Sequence, residues 1–189
     1  AVVPQTIPEC FQLAAKRAGE VNALCVKRGG RWINLTWSEY HHETMKAARS
    51  LIALGLEAHD AVNILGFNSP EWCIANLAAI ACGGMSAGVY ATNQTPALQY
   101  QARHSRARIV FTESASQTAK YLPVLESLKD LKTIVQWGGD AIPCAQSGHV
   151  SIISWSQFME LSDTIAEVIL QERLASIKPA QCASLIYTS

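Results

Sequence analysis

Residues 60–95 read D-A-V-N-I-L-G-F-N-S-P-E-W-C-I-A-N-L-A-A-I-A-C-G-G-M-S-A-G-V-Y-A-T-N-Q-T. Val62, Ile64, Leu65 and Phe67 form an apolar run of the right length for one strand. Asn68-Ser69-Pro70 ends that strand and opens a helix. Ser69 is able to cap free N–H groups, and Pro70 suits a first turn where its missing N–H is not needed. Trp72, Ile74, Leu77, Ala78 and Ile80 to Cys82 give a helix that is apolar nearly all round. Gly83-Gly84 supplies the positive φ that stops it. Met85 to Tyr90 reads as a second strand, and Ala91-Thr92-Asn93-Gln94 as its exit loop. No charged residue occurs between Glu71 and Arg103. A membrane span needs about 20 strongly apolar residues, whereas this run is mostly Ala and Gly, contains Asn76 and is broken by Gly83-Gly84. The pattern predicts a right-handed βαβ unit, its small residues letting the helix lie close on a parallel sheet. Ligands of such sheets bind beyond the carboxyl ends of the strands. That places Asn68-Ser69 and Thr92-Asn93 on the functional edge.

The chain on either side extends this pattern. Thr6 to Ala18 has the spacing of an amphipathic helix stopped at Gly19. Ala23 to Lys27 and Arg31 to Leu35 flank Arg28-Gly29-Gly30 as a hairpin. Thr36-Trp37-Ser38-Glu39 is a capping box opening a helix to Leu54. Beyond the central unit, Thr95-Pro96 opens a helix to about Ser105, and Arg108 to Thr112 is a third buried strand. Ser116 to Leu128 is helical in pattern but kinked or split at Pro123. Lys132 to Gln136 is a fourth strand, Trp137 to His149 a loop, and Val150 to Ile153 a short strand. Ser154-Trp155-Ser156-Gln157 is a second capping box, starting a helix through Leu161. Thr164 to Ser176 is a further helix, and Ala183 to Tyr187 a last, buried strand. Strands and helices alternate from residue 61 onward, which predicts an α/β fold: a doubly wound, mostly parallel sheet with flanking helices. Residues 1–60 are predicted as a helical cover with a hairpin, and 61–189 as the α/β unit. The chain begins at Ala1 and stops at Ser189 directly after a strand, the pattern of a piece of something larger.

Composition narrows the class. The 189 residues suffice for one domain with a real core. Hydrophobic residues make up 49% and charged ones 16%, with 15 cations against 15 anions. That argues against disorder and against a nucleic-acid footprint. The six cysteines form no C-x-x-C pair, and several sit in apolar runs where a free thiol behaves as a small hydrophobe. A reduced, cytoplasmic compartment is the expectation.

A search for catalytic residues is mostly negative. His41 and His42 are adjacent on a helix, about 100° apart, and do not chelate one ion together. His104 and His149 have no carboxylate or cysteine at useful spacing, so no metal site is expected. Ser69 is not in G-x-S-x-G and reads as a helix cap. There is no G-x-G-x-x-G and no complete Walker loop. One terminal feature carries chemistry: Leu185 to Ser189 is a strand running into two hydroxyl residues. Thr188 and Ser189 fit the start of a phosphate-cradling loop, where hydroxyls and close backbone N–H groups meet phosphate oxygens.

Taken together, L-T-W-S-E-Y (35–40), A-L-G-L-E (53–57), V-N-I-L-G-F-N-S-P-E-W (62–72), A-A-I-A-C-G-G-M-S-A-G-V-Y-A-T-N (78–93), H-S-R-A-R-I-V (104–110), L-K-D-L-K-T-I-V-Q-W (128–137), S-W-S-Q-F (154–158) and K-P-A-Q-C-A-S-L-I-Y-T-S (178–189) are familiar. In this order they resemble the amino-terminal part of the acyl-adenylate-forming enzymes, and within them the bubblegum-type long-chain fatty acid–CoA ligases. Ala61 stands where members often carry a basic residue or glycine, which reads as a surface detail. The resemblance implies the amino-terminal part of the synthetase fold, truncated at its carboxyl-terminal edge. Residues 61–189 would be an incomplete part of the AMP-binding domain, with the carboxyl-terminal domain absent. It implies ATP, Mg²⁺ and coenzyme A as co-substrates and a long-chain fatty acid as substrate. Thr188 and Ser189 would open the ATP-phosphate loop. Asn68, Trp72, Thr92 and Asn93 would wall a cleft or acyl tunnel, although Trp72 reads first as plain core packing. The chain itself would hold no catalytic residue and no metal ligand and be inactive alone. With no transmembrane segment, peripheral association with the endoplasmic reticulum or another membrane is the expectation. The alternatives are an aryl-CoA ligase or other adenylation domain, or a noncatalytic truncated interaction module.

Overall fold

The computed structural model describes residues 3–139 and 149–188. In chain order the elements begin with α1 (Ile7–Ala18), β1 (Asn22–Arg28), β2 (Arg31–Thr36) and α2 (Trp37–Ala53). The central elements are β3 (Ala61–Leu65), α3 (Pro70–Ala81), β4 (Met85–Val89), α4 (Thr95–Ser105), β5 (Ala107–Thr112) and α5 (Ala115–Ala119). They are followed by β6 (Thr133–Gln136), β7 (Ser151–Ser154), α6 (Trp155–Glu160), α7 (Glu167–Ser176) and β8 (Ser184–Leu185). Short 3-10 helices cover Leu122–Ser127 and Leu161–Thr164.

Local signals set the helix starts. Thr36 and Glu39 exchange a capping box, with Thr36 N–H donating to Glu39 Oε2 at 2.8 Å and Glu39 N–H to Thr36 Oγ1 at 3.2 Å. Thr6 and Ser154 head α1 and α6 in the same way. Ser69 Oγ accepts from Trp72 N–H, with Pro70 in the first turn of α3. Each device satisfies N–H groups that have no partner inside the helix.

β3 to β8 form one parallel sheet in the order β7-β6-β5-β3-β4-β8. Alternation along β3 feeds two cores: Val62 and Ile64 face one, Leu65 the other. The first core joins them to α2, α3, α6 and α7, where Ala75, Ala78 and Ala79 are fully buried and let α3 lie close. The second takes Leu98 and Ala102 of α4, with Tyr121 and Leu125. Helices therefore cover both faces, as a doubly wound sheet requires. Residues 1–60 do not stand apart: Phe11 and Tyr40 belong to the first core, their rings edge-to-face at 4.8 Å. β1 and β2 form a separate antiparallel hairpin, turned by Gly29 and Gly30 at φ 56° and 77°, a pair only glycine adopts readily.

Several expectations need correcting. β3 stops at Leu65 and β4 at Val89, and Phe67 and Tyr90 turn outward, 65% and 64% exposed. The last strand is neither long nor buried. Only Ser184 and Leu185 pair with β4, and Ile186 is 84% exposed, because β8 is the edge of the described sheet. Pro123 splits its segment outright into α5 and a 3-10 turn. The helix expected from Thr164 starts at Glu167, since Ile165 is extended. Ala61 is buried, not a surface residue. The loop expected over 137–149 falls mostly outside the described residues.

Two measurements test this packing. Phe111 is fully buried, edge-to-face with Phe158 and Trp155, so Phe111→Ala lowers the unfolding free energy by about 3–5 kcal/mol in denaturant titration. His41 lies against Phe11, ring centroids 5.2 Å apart, and burial, then His42 and Lys16, lower its pKa below the ordinary 6.5. As pH falls through 6.5 the unfolded chain takes up this proton before the folded one. The neutral form's contribution is complete above that pH and is lost below it. His41→Gln removes this part of the decline of Tm between neutral and mildly acid pH.

Candidate functional site

The carboxyl ends of the strands offer two places for a ligand, and side chains close one of them. Between β3 and β5, the Trp137 ring lies over Gly66 so closely that a Cβ there would stand 2.5 Å from it. Glu113 Oε2 accepts from Phe67 N–H at 2.9 Å, taking up the donor at the strand's exit. This crevice is filled.

The open site lies on the other side, over β3, β4 and β8. A cleft of about 710 Å³ runs among Gly66 to Asn68, Trp72, Gly88 to Thr92 and Ser184 to Tyr187. The half-buried Trp72 both packs on the first core and lines this cleft. Its ring lies 3.2 Å from where a Gly88 Cβ would stand, so a side chain at 88 would displace the ring by a few tenths of an ångström. Ser86 Oγ donates to Asn76 Oδ1 at 2.6 Å, tying β4 to α3 behind it. Phe67, Tyr90 and Ile186 add exposed apolar surface around the cleft.

Of the residues expected at the site, Asn68, Trp72 and Thr92 meet in this cleft. Asn93 does not line it. Its N–H donates to Tyr90 O at 2.9 Å, and its carbonyl accepts from Lys120 Nζ at 2.9 Å. Lys120 also donates to Ala91 O at 3.2 Å, joined there by Gln117 Nε2 at 3.1 Å. This loop is thus held by a cation about 27 residues downstream, and no local pattern announces it. Thr188 is exposed just past β8, and Ser189 lies outside the described residues.

Tyr187, immediately before Thr188, has partners that the sequence reading did not name. Its Oη is 3.0 Å from His104 Nδ1 and donates to Gln101 O at 3.4 Å, and its ring meets Tyr100 and His104 edge-on. Burial is the main cause pushing its phenol above the ordinary 10.0, so it keeps its proton at neutral pH. His104, for which the sequence offered no metal partner, is exposed and is half of this latch. An aromatic and a histidine at 100 and 104, one helical turn apart, were the only sequence signal.

Among the described residues no group of three or more His, Cys, Asp or Glu is placed to hold a metal ion. Also among them, no helix is long and apolar enough to cross a membrane. The five described cysteines are free, and Cys82 is buried with its thiol on Ala48 O.

The family described as AMP-binding enzyme matches residues 11–189. The chain belongs to that family. It is 41% identical over 187 residues to long-chain-fatty-acid–CoA ligase ACSBG2 of Rattus norvegicus, covering 98% of this chain and 27% of that protein. It is 33% identical to ligase ACSBG1 of Bos taurus, over 98% of this chain and 25% of that one. The chain therefore spans about a quarter of these relatives' length. Among solved structures, coronafacic acid ligase from Pectobacterium brasiliense superposes with TM-score 0.77 at 13% identity, over 97% of this chain and 33% of that one. The anthranilate CoA ligase AuaEII, with anthranoyl-AMP, gives 0.74 at 18%, over 100% and 33%. At such identities these two matches speak for the fold, a mostly parallel sheet of the adenylate-forming ligases.

If Lys120 fixes the loop after β4, Lys120→Ala frees Asn93 O and leaves Ala91 O with Gln117 Nε2 alone. Hydrogen exchange at the Asn93 amide then rises by about tenfold or more, while amides of β3 and β5 keep their rates.

Proposed function

We propose that this chain is part of a long-chain fatty acid–CoA ligase. The reaction has two steps. A fatty carboxylate attacks the α-phosphate of ATP, pyrophosphate leaves and acyl-AMP forms. The thiol of coenzyme A then displaces AMP and gives the acyl-CoA. The observation that carries the proposal is the cleft. Its walls are the apolar faces of Phe67, Trp72, Tyr90 and Ile186, suited to an alkyl chain, and β8, one of its walls, leads directly to Thr188. The 41% identity to a named ligase of this specificity supports it.

The residues present divide the work. Trp72, seated on Gly88, gives the acyl chain a rigid apolar wall that excludes water. Thr188 Oγ1, exposed past the strand, donates to a phosphate oxygen and helps offset the repulsion between carboxylate and phosphate. The Tyr187 latch to His104 and Gln101 fixes where that hydroxyl emerges. Asn68 and Thr92 offer polar groups in the same cleft. Mg²⁺ accompanies ATP in this reading. The described residues form no metal-holding cluster. Cytoplasmic placement with contact to a membrane surface goes with this substrate, which partitions into bilayers.

The test uses the complete ligase carrying this segment, assayed for acyl-CoA formation. Activity is expected with palmitate-like acids. Trp72→Ala raises KM for such an acid by about tenfold and barely affects a short-chain acid. Thr188→Ala lowers kcat/KM for ATP by about tenfold and leaves the KM for fatty acid unchanged. Activity on an aromatic acid with none on any fatty acid would overturn the substrate assignment.

A further inference from the structure

A second cavity, of about 400 Å³, lies among α1, α2 and α7 and shares no lining residue with the cleft. On α2, His41, Met45 and Arg49 recur every fourth residue and so lie along one face, which lines this space. Leu170 and Leu174 of α7 form another wall, and residues of α1 complete it. Arg49 is the only Lys or Arg of the lining. Its Nε is buried without a hydrogen-bond partner, and Arg49 has no ion pair among the described residues. Both carboxylates of the lining have other settings. Glu9 accepts from Thr6 N–H at 2.7 Å, and Glu167 stands in the first turn of α7, where the helix dipole favours a negative charge. His41 is neutral at pH 7, since burial, then His42 and Lys16, lower its pKa below the ordinary 6.5. Folded proteins leave few buried donors unpaired, and a donor on a charged group is the costliest to leave so. Folding alone therefore does not account for Arg49.

We propose that this cavity binds a small monocarboxylate with an apolar body. The planar guanidinium of Arg49 presents paired N–H groups that match the two oxygens of a carboxylate. Met45, Leu170 and Leu174 supply apolar walls for the alkyl chain or ring behind it. The volume falls in the range of small-molecule sites, about 300–1,000 Å³, and so does the mixture of apolar walls with a few polar groups. A phosphate monoester is a poorer occupant, because its second negative charge would face Glu9 and Glu167. Water alone would serve Nε and leave the apolar walls without a partner. The site stands apart from the function proposed above, as it draws on none of the residues of the cleft.

The experiment follows the Met45 methyl resonance by NMR in the complete ligase carrying this segment, titrated with octanoate in the absence of ATP. The resonance is assigned by its loss in Met45→Leu. A saturable shift is expected. Butyrate, with a shorter body, and 1-octanol, with no charge, each bind about tenfold more weakly. Arg49→Met keeps the apolar stem and removes the guanidinium. It weakens octanoate to the level of octanol and leaves Tm at or above the wild-type value, because an unpaired charge has gone. Glu167→Gln strengthens octanoate binding by about threefold, as one repelling carboxylate is lost. Trp72→Ala, in the cleft, leaves the Met45 titration unchanged. Four results would each overturn the proposal. One is no shift with octanoate, and another is the same shift with inorganic phosphate. A third is loss of the shift in Trp72→Ala, which would place the ligand in the cleft. The last is an equal fall of Tm in Arg49→Met and Glu167→Gln, which would make these residues an ion pair of the fold.

Discussion

All five residues of β3 are buried, and the strand has a parallel neighbour on each side. A strand in that position needs apolar cover on both faces, and burying one extra methylene is worth about 0.8 kcal/mol. The two cores follow from this demand. Val62 and Ile64 draw α2 and α3 onto one face, Leu65 draws α4 onto the other. The alanines of α3 set how near that helix comes, and its first turn in turn delivers Trp72 to the strand ends. The position of the cleft wall is therefore a by-product of how the central strand is covered.

The same economy explains why the cleft opens where it does. Both gaps beside β3 begin as candidates, since backbone groups at strand ends are available in each. Trp137 and Glu113 close one with a ring and a carboxylate. In the other, Gly88 lets the Trp72 ring lie close on the strand, where a Cβ would press on it at 3.2 Å. A tryptophan seals the first gap and a tryptophan makes a wall in the second. The difference lies in the glycine each ring rests on.

Much of this architecture was legible because its signals are local. Ser69-Pro70, Gly83 and the capping boxes at Thr36 and Ser154 lie within a few residues of the groups they serve, and strand and helix limits there agreed within a residue or two. The strand ends were less legible. Phe67 and Tyr90 extend apolar runs, and sequence alone does not say that no neighbour waits to cover them. β8 failed for the same reason: its residues are apolar enough for a buried strand, but burial depends on what lies outside it. At the site, Asn68, Trp72 and Thr92 followed from the rule of strand ends. Lys120 on the loop carbonyls and His104 on Tyr187 are contacts across 27 to 83 residues, and such pairs leave no periodic trace. Asn93 lies off the cleft lining, its backbone bonded to Tyr90 and Lys120.

The pairing of β8 with β4 also sets an order of assembly. β3, α3 and β4 lie within residues 61–89 and close on one another through short connections. Ser184 must return to Ser86 across 98 residues, for a two-residue ladder and one further bond from Ser184 Oγ to Ser86 O. Closing so long a loop is entropically costly and gains little until the rest of the sheet exists. During synthesis from the amino terminus, the central unit is complete before β8 has left the ribosome. The cleft thus gains its third wall, and with it Thr188, later than the central unit it rests on.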